Sequence, residues 1–509
     1  MQQRDTYLCC PVFILKGICT MKKLAFLLAA LMLLPAAVSC GENIPAESAD
    51  SSVADTTAAE ETTSPEETKI PSGLPETMDL EGYTVNFYGK KEVGIWTEEE
   101  TGDNVNDAVY ARNRALNEKY NFEIMHIMPQ NQSSPTNDIK ASVQAGDDAW
   151  QVFVDGPGNS LKNYVTSALL YDMNTLKYQD FSQPWWFEEL NNSLSLAGKL
   201  FMTCSSFSLT ARQWLYNPIV NIDILENNGL KMKDYYQMVY DGKWTLDEFL
   251  KLCKVGSADL NGDGVRDKED RFAHNGEDYA GYALAVGSGY MIARKDKDDI
   301  PYITAADEQS IHLWDKLVNE TFSDSTNYLC IRNIKNVDSI WSAANNMMKK
   351  GQIMIQITTL NSSWRNYDIN YGILPMPKYN EEQERYYHTG SALNIPMLAV
   401  PITVTKPDEI SFVLEAMAYE SYYDVLPIFY EEYLETKLVR DRESIDMIRI
   451  THESLVLDPG AAYGWGSYLG ELYKVVNRGQ NTLVTFDASK RAVAEKAIAD
   501  MMEIVKRTK

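Results

Sequence analysis

The sequence predicts an α/β fold. Three observations carry that prediction: strand-like and helix-like patterns alternate over residues 83–154, the carboxyl third is dominated by helical periodicity, and the composition is globular, 45% hydrophobic and 23% charged. The first element is Tyr83-Thr84-Val85-Asn86-Phe87-Tyr88, a strand by its β-branched and aromatic content, ended by Gly89. Over 104–120 the apolar residues Val105, Ala108, Val109, Ala115 and Leu116 recur at helical spacing, with Arg112 interrupting the stripe and Asn104 placed to cap. Residues 122–128 read as the second strand and 139–145 as a short helix closed by Gly146. A third strand, 150–154, runs into Asp155-Gly156-Pro157-Gly158. Strand, helix, strand, helix, strand over this length implies parallel pairing through helical crossovers. Ligands of such sheets bind outside the carboxyl ends of strands, which directs attention to loops 89–103 and 155–160. Further along, Thr245 and Glu248 have the spacing of a capping box at a helix start. Residues 353–357 read as an apolar strand, and 409–420, 444–455 and 487–506 as helices. There is no solenoid-type repeat and no sustained heptad.

The 509 residues suggest two or three domains at roughly 150 residues each, any of which buries a full core without disulfide staples. A net charge of -25 repels phosphate backbones, so nucleic acid is not expected as a partner. Tyrosine is abundant, 30 against 15 Phe and 10 Trp, and these flat amphipathic rings favour sugar or peptide ligands.

The amino terminus predicts where the protein works. From Met21 two lysines, an apolar run from Leu24 to Ala37 and then small residues lead to Cys40, the pattern of a secretory signal peptide over 21–39. The run falls short of the ~20 residues a spanning helix needs. Ala37-Val38-Ser39-Cys40 resembles the bacterial lipobox, with Ala37 in the place of the usual Leu, and marks Cys40 for lipidation; plain cleavage is the alternative. Residues 1–20, with Cys9, Cys10 and Cys19, precede a better start at Met21 and read as a misassigned upstream extension. Residues 40–75 are Ser, Thr, Ala, Glu and Asp with almost no large apolar side chain, so a disordered acidic tether is expected there. The remaining Cys204, Cys253 and Cys330 show no metal-like spacing and read as buried thiols.

Several segments together resemble the family 1 extracellular solute-binding proteins, the capture subunits of ABC importers for sugars and oligosaccharides. Beside the lipobox they are Asn106-Asp107-Ala108-Val109-Tyr110-Ala111-Arg112-Asn113, Gln183-Pro184-Trp185-Trp186, Gly198-Lys199-Leu200-Phe201 and Trp214-Leu215-Tyr216-Asn217. They continue through Asp241-Gly242-Lys243-Trp244-Thr245-Leu246-Asp247-Glu248-Phe249, the aspartate loop from Asp259 to Asp270, and Tyr371-Gly372-Ile373-Leu374-Pro375-Met376-Pro377-Lys378-Tyr379. The resemblance implies a two-lobed periplasmic-binding-protein-like clamshell of the class II type, each lobe a sheet flanked by helices, with a helical carboxyl third. Lobe 1 would take 76–213 and 377–420, and lobe 2 would take 214–376 and 421–509. It also implies a monomer that binds an oligosaccharide or other small solute between its lobes and passes it to ABC transporter permease subunits. The site of work would be the outer face of the cell membrane, held by the lipid at Cys40, or the periplasm where an outer membrane exists. A ligand that touches both lobes would stabilise the closed state.

Rings near strand ends are the binding candidates on this reading. Trp96 follows the first strand, and Asp155 with Asn159 follows the third; a loop-packing role is the alternative for each. Arg212 and Trp214 sit at the first crossing the resemblance implies, where Trp214 could instead wedge the hinge. Trp364 follows the strand 353–357, whose loop faces the cleft in the resembling family. Tyr463 and Trp465, on the loop Pro459-Gly460-Ala461-Ala462-Tyr463-Gly464-Trp465-Gly466, would stack on a sugar if that loop closes the cleft. In the pair Trp185-Trp186, adjacent rings point apart and one is expected in the core.

The loop 259–270 fits the calcium-loop template independently of any family. Asp259, Asn261, Asp263 and Asp267 place oxygens at positions 1, 3, 5 and 9, Gly264 sits at the tight turn in position 6, Val265 offers a carbonyl, and Asp270 replaces the usual bidentate Glu. Structural calcium is thus an expectation, with an unaided Asp/Asn/Gly turn as the alternative; no other cofactor is required. Catalysis is not expected, since there is no HExxH, GxSxG or Walker loop and only 5 His. Two carboxylates suffice for a glycoside hydrolase, so a secreted carbohydrate-active enzyme remains an alternative, beside a surface glycan-binding adhesin without transport.

Overall fold

The computed structural model describes residues 69–129, 135–361, 364, 366–436 and 438–508. Cys40, the signal segment, the upstream extension and the tether as far as residue 68 lie outside them. The described body falls within one compact unit, Thr68–Lys509. Eleven strands are present among the described residues: β1 Tyr83–Gly89, β2 Phe122–Ile127, β3 Val152–Asp155, β4 Tyr216–Asn221, β5 Phe272–Gly276, β6 Ala293–Lys295, β7 Pro301–Ile303, β8 Tyr328–Cys330, β9 Ile353–Thr359, β10 Tyr371–Ile373 and β11 Met397–Ala399.

The architecture is α/β, with two separate sheets flanked by helices. The first has the order β11-β3-β1-β2. The parallel pairs β1/β2 and β1/β3 are those the alternating pattern predicts, and β11 returns from far along the chain to add antiparallel to β3. The second sheet, β10-β4-β9-β5-β8, is parallel across β9, β5 and β8, with β4 antiparallel to β9 and β10. The chain therefore leaves the first sheet between β3 and β4 and re-enters it between β10 and β11. After β11 the described chain is helical, from Pro407–Glu420 to the long Leu483–Arg507.

Local chemistry explains the first βαβ unit. The helix Asn104–Tyr120 is capped by Asp103, whose side chain accepts from the Asn106 N–H at 2.9 Å, rather than by Asn104. Asn121 closes it in the left-handed conformation (φ 55°). Val109, Leu116 and Tyr120 are buried, and Arg112 is buried with them because the backbone carbonyls of Gly94 and Ile95 and the Ser421 hydroxyl take its guanidinium protons at 2.7–2.9 Å.

Two local expectations are corrected. The helix Leu246–Leu252 has no capping box: Thr245 occupies the N-cap position and its backbone bridges to Lys378, but its side chain makes no hydrogen bond to the helix N–H groups. The end of the expected tether is part of the body. Lys69 pairs with Asp424 at 3.1 Å, the Ile70 N–H donates to the Tyr423 hydroxyl at 2.8 Å, and Leu74 packs on the core of the first sheet. Cys204, Cys253 and Cys330 are free and buried.

Candidate functional site

A pocket of ≈ 590 Å³ opens at the carboxyl ends of the parallel strands in the second sheet. Gly276, Glu277 and Asp278 line it where β5 ends, Ile331 and Arg332 where β8 ends, and Gln356 to Thr359 with Asn361 where β9 ends. Trp214 and Tyr216 join them because β4, running antiparallel, begins at that edge. This is the strand-end location general to parallel sheets, found in the second sheet rather than the first. The helix Ile340–Lys349 adds Trp341 and Asn345, and the helix Tyr468–Arg478 adds Tyr473.

Ser391, Leu393 and Asn394, on the segment leading into β11, form the facing wall. That segment rests on the loop after β3. The Gly158 N–H donates to the Ala392 carbonyl at 3.0 Å, and Lys90 Nζ reaches the Leu393 carbonyl at 2.7 Å. A Cβ on Gly156 would lie 2.4 Å from the Leu393 carbonyl oxygen, so only glycine permits the approach. Gly156 and Gly158 are thereby covered by that segment and support the wall. At the base the Tyr279 hydroxyl joins the two sides, donating to the Gly390 carbonyl at 2.5 Å and accepting from the Ala392 N–H at 3.4 Å.

The walls combine rings and paired charges. Tyr216 and Tyr279 stack at 5.2 Å and 27°, and Tyr473 tilts against Tyr279 at 5.9 Å. Arg332 lies over the exposed Trp341 ring at 5.4 Å. Its Nε donates to Asp278 at 3.0 Å and its Nη2 to Glu277 at 3.4 Å, while the Tyr216 hydroxyl donates to the other Glu277 oxygen. Burial, reinforced by Glu277, holds the Tyr216 hydroxyl well above the usual tyrosine range, so it stays a donor at any physiological pH. Both carboxylates are thus engaged by protein donors.

Of the residues singled out from sequence, Trp214 lines the pocket, with 37% of its surface exposed. The others whose side chains are described sit elsewhere, each for a definable reason. Asp155 is buried beneath the covering segment, where it accepts from the Gly156 N–H, Thr136 and Tyr164 at 2.7–3.0 Å. Asn159 falls in the helix Pro157–Thr166, and its side chain is outside the described residues. Trp96 is half-buried against the core of the first sheet. Arg212 is buried over the Phe187 ring at 4.5 Å and donates to the Ser205 and Ser208 carbonyls at 3.0 Å. Trp364 is buried between Tyr367 and Tyr371. Tyr463 and Trp465 stack on each other at 5.0 Å inside the core, because Gly464 and Gly466 (φ 67° and 65°) turn their loop inward, and the Tyr463 hydroxyl finishes on the Leu194 carbonyl. Trp185 and Trp186 are both core, their indole N–H groups donating to the two oxygens of buried Glu415 at 2.6 and 2.9 Å.

Residues that line the pocket without having been singled out include Glu277, Asp278, Tyr279, Arg332, Trp341 and Gln356. Their signal was available for β5, where a short run ends at Gly276 before an acidic pair. It was not available for β8, only three residues long.

The donors of the loop 259–270 are all oxygens, the right chemistry for a hard cation, but as folded they do not gather round one point. Asp259 accepts from the Gly262 and Gly264 N–H groups at 2.7 and 3.0 Å, Asn261 from that of Asp263 at 3.0 Å, and Asp263 from that of Val265 at 2.8 Å. Asp267 accepts from the Glu269 N–H at 2.9 Å, and buried Asp270 turns to the N–H groups of Leu260 and Asp267. Among the described residues no group of three or more His, Cys, Asp or Glu side chains is placed to share an ion. The loop as folded closes itself by side-chain to backbone turns. Calcium added after EDTA is therefore expected to leave the thermal midpoint unchanged; a rise abolished by Asp259→Ala would show that these oxygens regroup around an ion.

No family model matches the chain, and no curated protein matches it. Among solved structures it is similar to the ABC substrate-binding protein Lmo0181 from Listeria monocytogenes in complex with cycloalternan, with a TM-score of 0.49 and 13% identity, covering 84% of this chain and 99% of that one.

Proposed function

We propose that this is an extracellular, lipid-anchored solute-binding protein that captures a carbohydrate of oligosaccharide size and delivers it to an ABC importer. The observation that supports this most is the pocket: rings from Trp214, Tyr216, Tyr279, Trp341 and Tyr473 around amide, hydroxyl and carboxylate groups. Rings pack on the C–H faces of a sugar while the polar groups satisfy its hydroxyls. The two sheets, with the pocket between strand ends of one and a segment fastened to the other, suit capture by lobe closure. The signal pattern over 21–39, followed directly by Cys40, supports export and anchoring; among the described residues no helix is long and apolar enough to cross a membrane.

Thermal unfolding of the chain from residue 41 against a panel of oligosaccharides tests the reading. A ligand at 100 times its dissociation constant stabilises by ~2.7 kcal/mol, an easily resolved shift. The expected result is a raised midpoint with the sugar recovered intact. Release of reducing ends would instead favour a carbohydrate-active enzyme using the neighbouring Glu277 and Asp278, and silence across the panel would count against a carbohydrate ligand.

A further inference from the structure

Eight of the ten tryptophans are buried or half-buried; the two exposed ones, Trp214 at 37% and Trp341 at 51%, both line this one pocket. An exposed indole leaves a large apolar surface in water, and two at a single cavity point to surfaces that a ligand covers. They rise from opposite sides of the sheet. Trp214 precedes β4, whereas Arg332, whose guanidinium lies over the Trp341 ring, follows β8. The strand order places β9 and β5 between them, so those two strand ends stand three spacings or ~14 Å apart. One sugar ring does not cover that distance. The floor between is polar: the Tyr216 hydroxyl donates to Glu277, which also accepts from Arg332 at 3.4 Å.

Trp341 lies in the first turn of the helix Ile340–Lys349, whose start Ser339 caps by accepting from the Ser342 N–H at 3.2 Å. Among the described residues no second ring packs on the indole, and the one cation over it is Arg332, 5.4 Å from the centroid. Arg332 is itself fixed, with Nε on Asp278 at 3.0 Å and Nη2 on Glu277. Two carboxylates already neutralise this guanidinium, so it offers an anionic ligand little; what it does is lie on one face of the indole and leave the other open. We propose that Trp214 and Trp341 are the end platforms of a site for a linear saccharide of more than one unit, and that Arg332 is a positioning residue that holds the Trp341 platform; the proposal rests on the carbohydrate reading given above. A ring held before the ligand arrives loses less freedom on binding, which is how Arg332 acts on affinity without touching the sugar.

Isothermal titration of the full chain with glucose, mannose and xylose, and with maltotriose, mannotriose and xylotriose, tests this. The wild type is expected to bind one trisaccharide about tenfold or more tighter than its monosaccharide. Trp341→Ala is expected to weaken that trisaccharide by about tenfold or more. Arg332→Gln is expected to weaken it about threefold or more, and to add nothing where Trp341 is already alanine, because its effect passes through the ring. Thermal unfolding checks that each variant is folded. Trp341→Ala removes a half-exposed ring and can be read alone should Arg332→Gln not fold. A monosaccharide bound as tightly as its trisaccharide, or Trp341→Ala within about twofold of wild type, overturns this inference and leaves the carbohydrate reading standing. A loss from Arg332→Gln that persists in the Trp341→Ala background does the same, since the sugar would then meet Arg332 directly. Failure of the wild type to bind any of these saccharides overturns the carbohydrate reading and this inference with it.

Discussion

Replacing Glu92 by alanine is expected to destabilise the folded protein by ~3 kcal/mol or more, because three backbone N–H groups would lose their acceptor in the interior. The carboxylate is buried and accepts from Gly94 at 3.1 Å, Thr210 at 2.7 Å and Ala211 at 3.2 Å. Thr210 and Ala211 belong to the first turn of the five-residue helix Leu209–Gln213, whose own N-cap, Ser208, makes no side-chain capping bond to it and accepts instead from the Ser205 N–H at 3.0 Å. Glu92 thus caps from a distance the helix that delivers Trp214 to the pocket. Burial pushes its pKa up to about 7 in spite of those bonds, against an ordinary value of 4.5. The folded state then holds the proton more tightly than the unfolded chain. Its contribution is full below pH 4.5 and is lost as pH rises through about 7. Glu92→Gln has no such titration, so the wild type should lose stability relative to it on the order of 3 kcal/mol across that window. Urea unfolding at pH 5 and pH 8 reads both effects; parallel profiles for wild type and Glu92→Gln would sink the argument.

Trp214→Ala should separate binding from folding. Its ring is exposed at the pocket, so truncation removes apolar surface a sugar would cover, worth ~2 kcal/mol or roughly 30-fold in Kd, at little cost to stability. Trp364→Ala is the contrast. That ring is 1% exposed within the core, so its loss should cost ~3–5 kcal/mol while the molecules that remain folded bind as before. Calorimetric titration with the saccharide giving the largest thermal shift, paired with unfolding curves, checks both. A Trp214→Ala affinity within twofold of wild type would remove this ring from the binding surface.

The contrast between these tryptophans also shows what could be read before the fold was known. Periodicity located the first βαβ unit well: Tyr83–Gly89 and Asn104–Tyr120 lie where the pattern puts them, because each element buries a regular stripe of its own residues. A ring's environment carries no such signal. Trp214 and Trp465 both follow small or polar neighbours, yet one reaches the pocket and the other is enclosed by a loop that Gly464 and Gly466 turn inward. A pocket does open at strand ends in this protein, but β11 returns from more than two hundred residues downstream to bring the segment 391–394 over the end of β3. A long-range pairing of three residues leaves no trace in local composition. The acidic pair at the end of β5 was legible in principle; Arg332, reached through the short β8, was not.

The glycine contacts under that segment carry an evolutionary consequence. Gly156 and Gly158 fix the height of one pocket wall, although neither lines the pocket. A methyl group added at Gly156 must lift the backbone at Leu393, and with it Ser391 and Asn394. Drift in ligand preference among descendants of this gene can therefore begin at a position no ligand touches, and a comparison restricted to pocket residues would record such paralogues as identical.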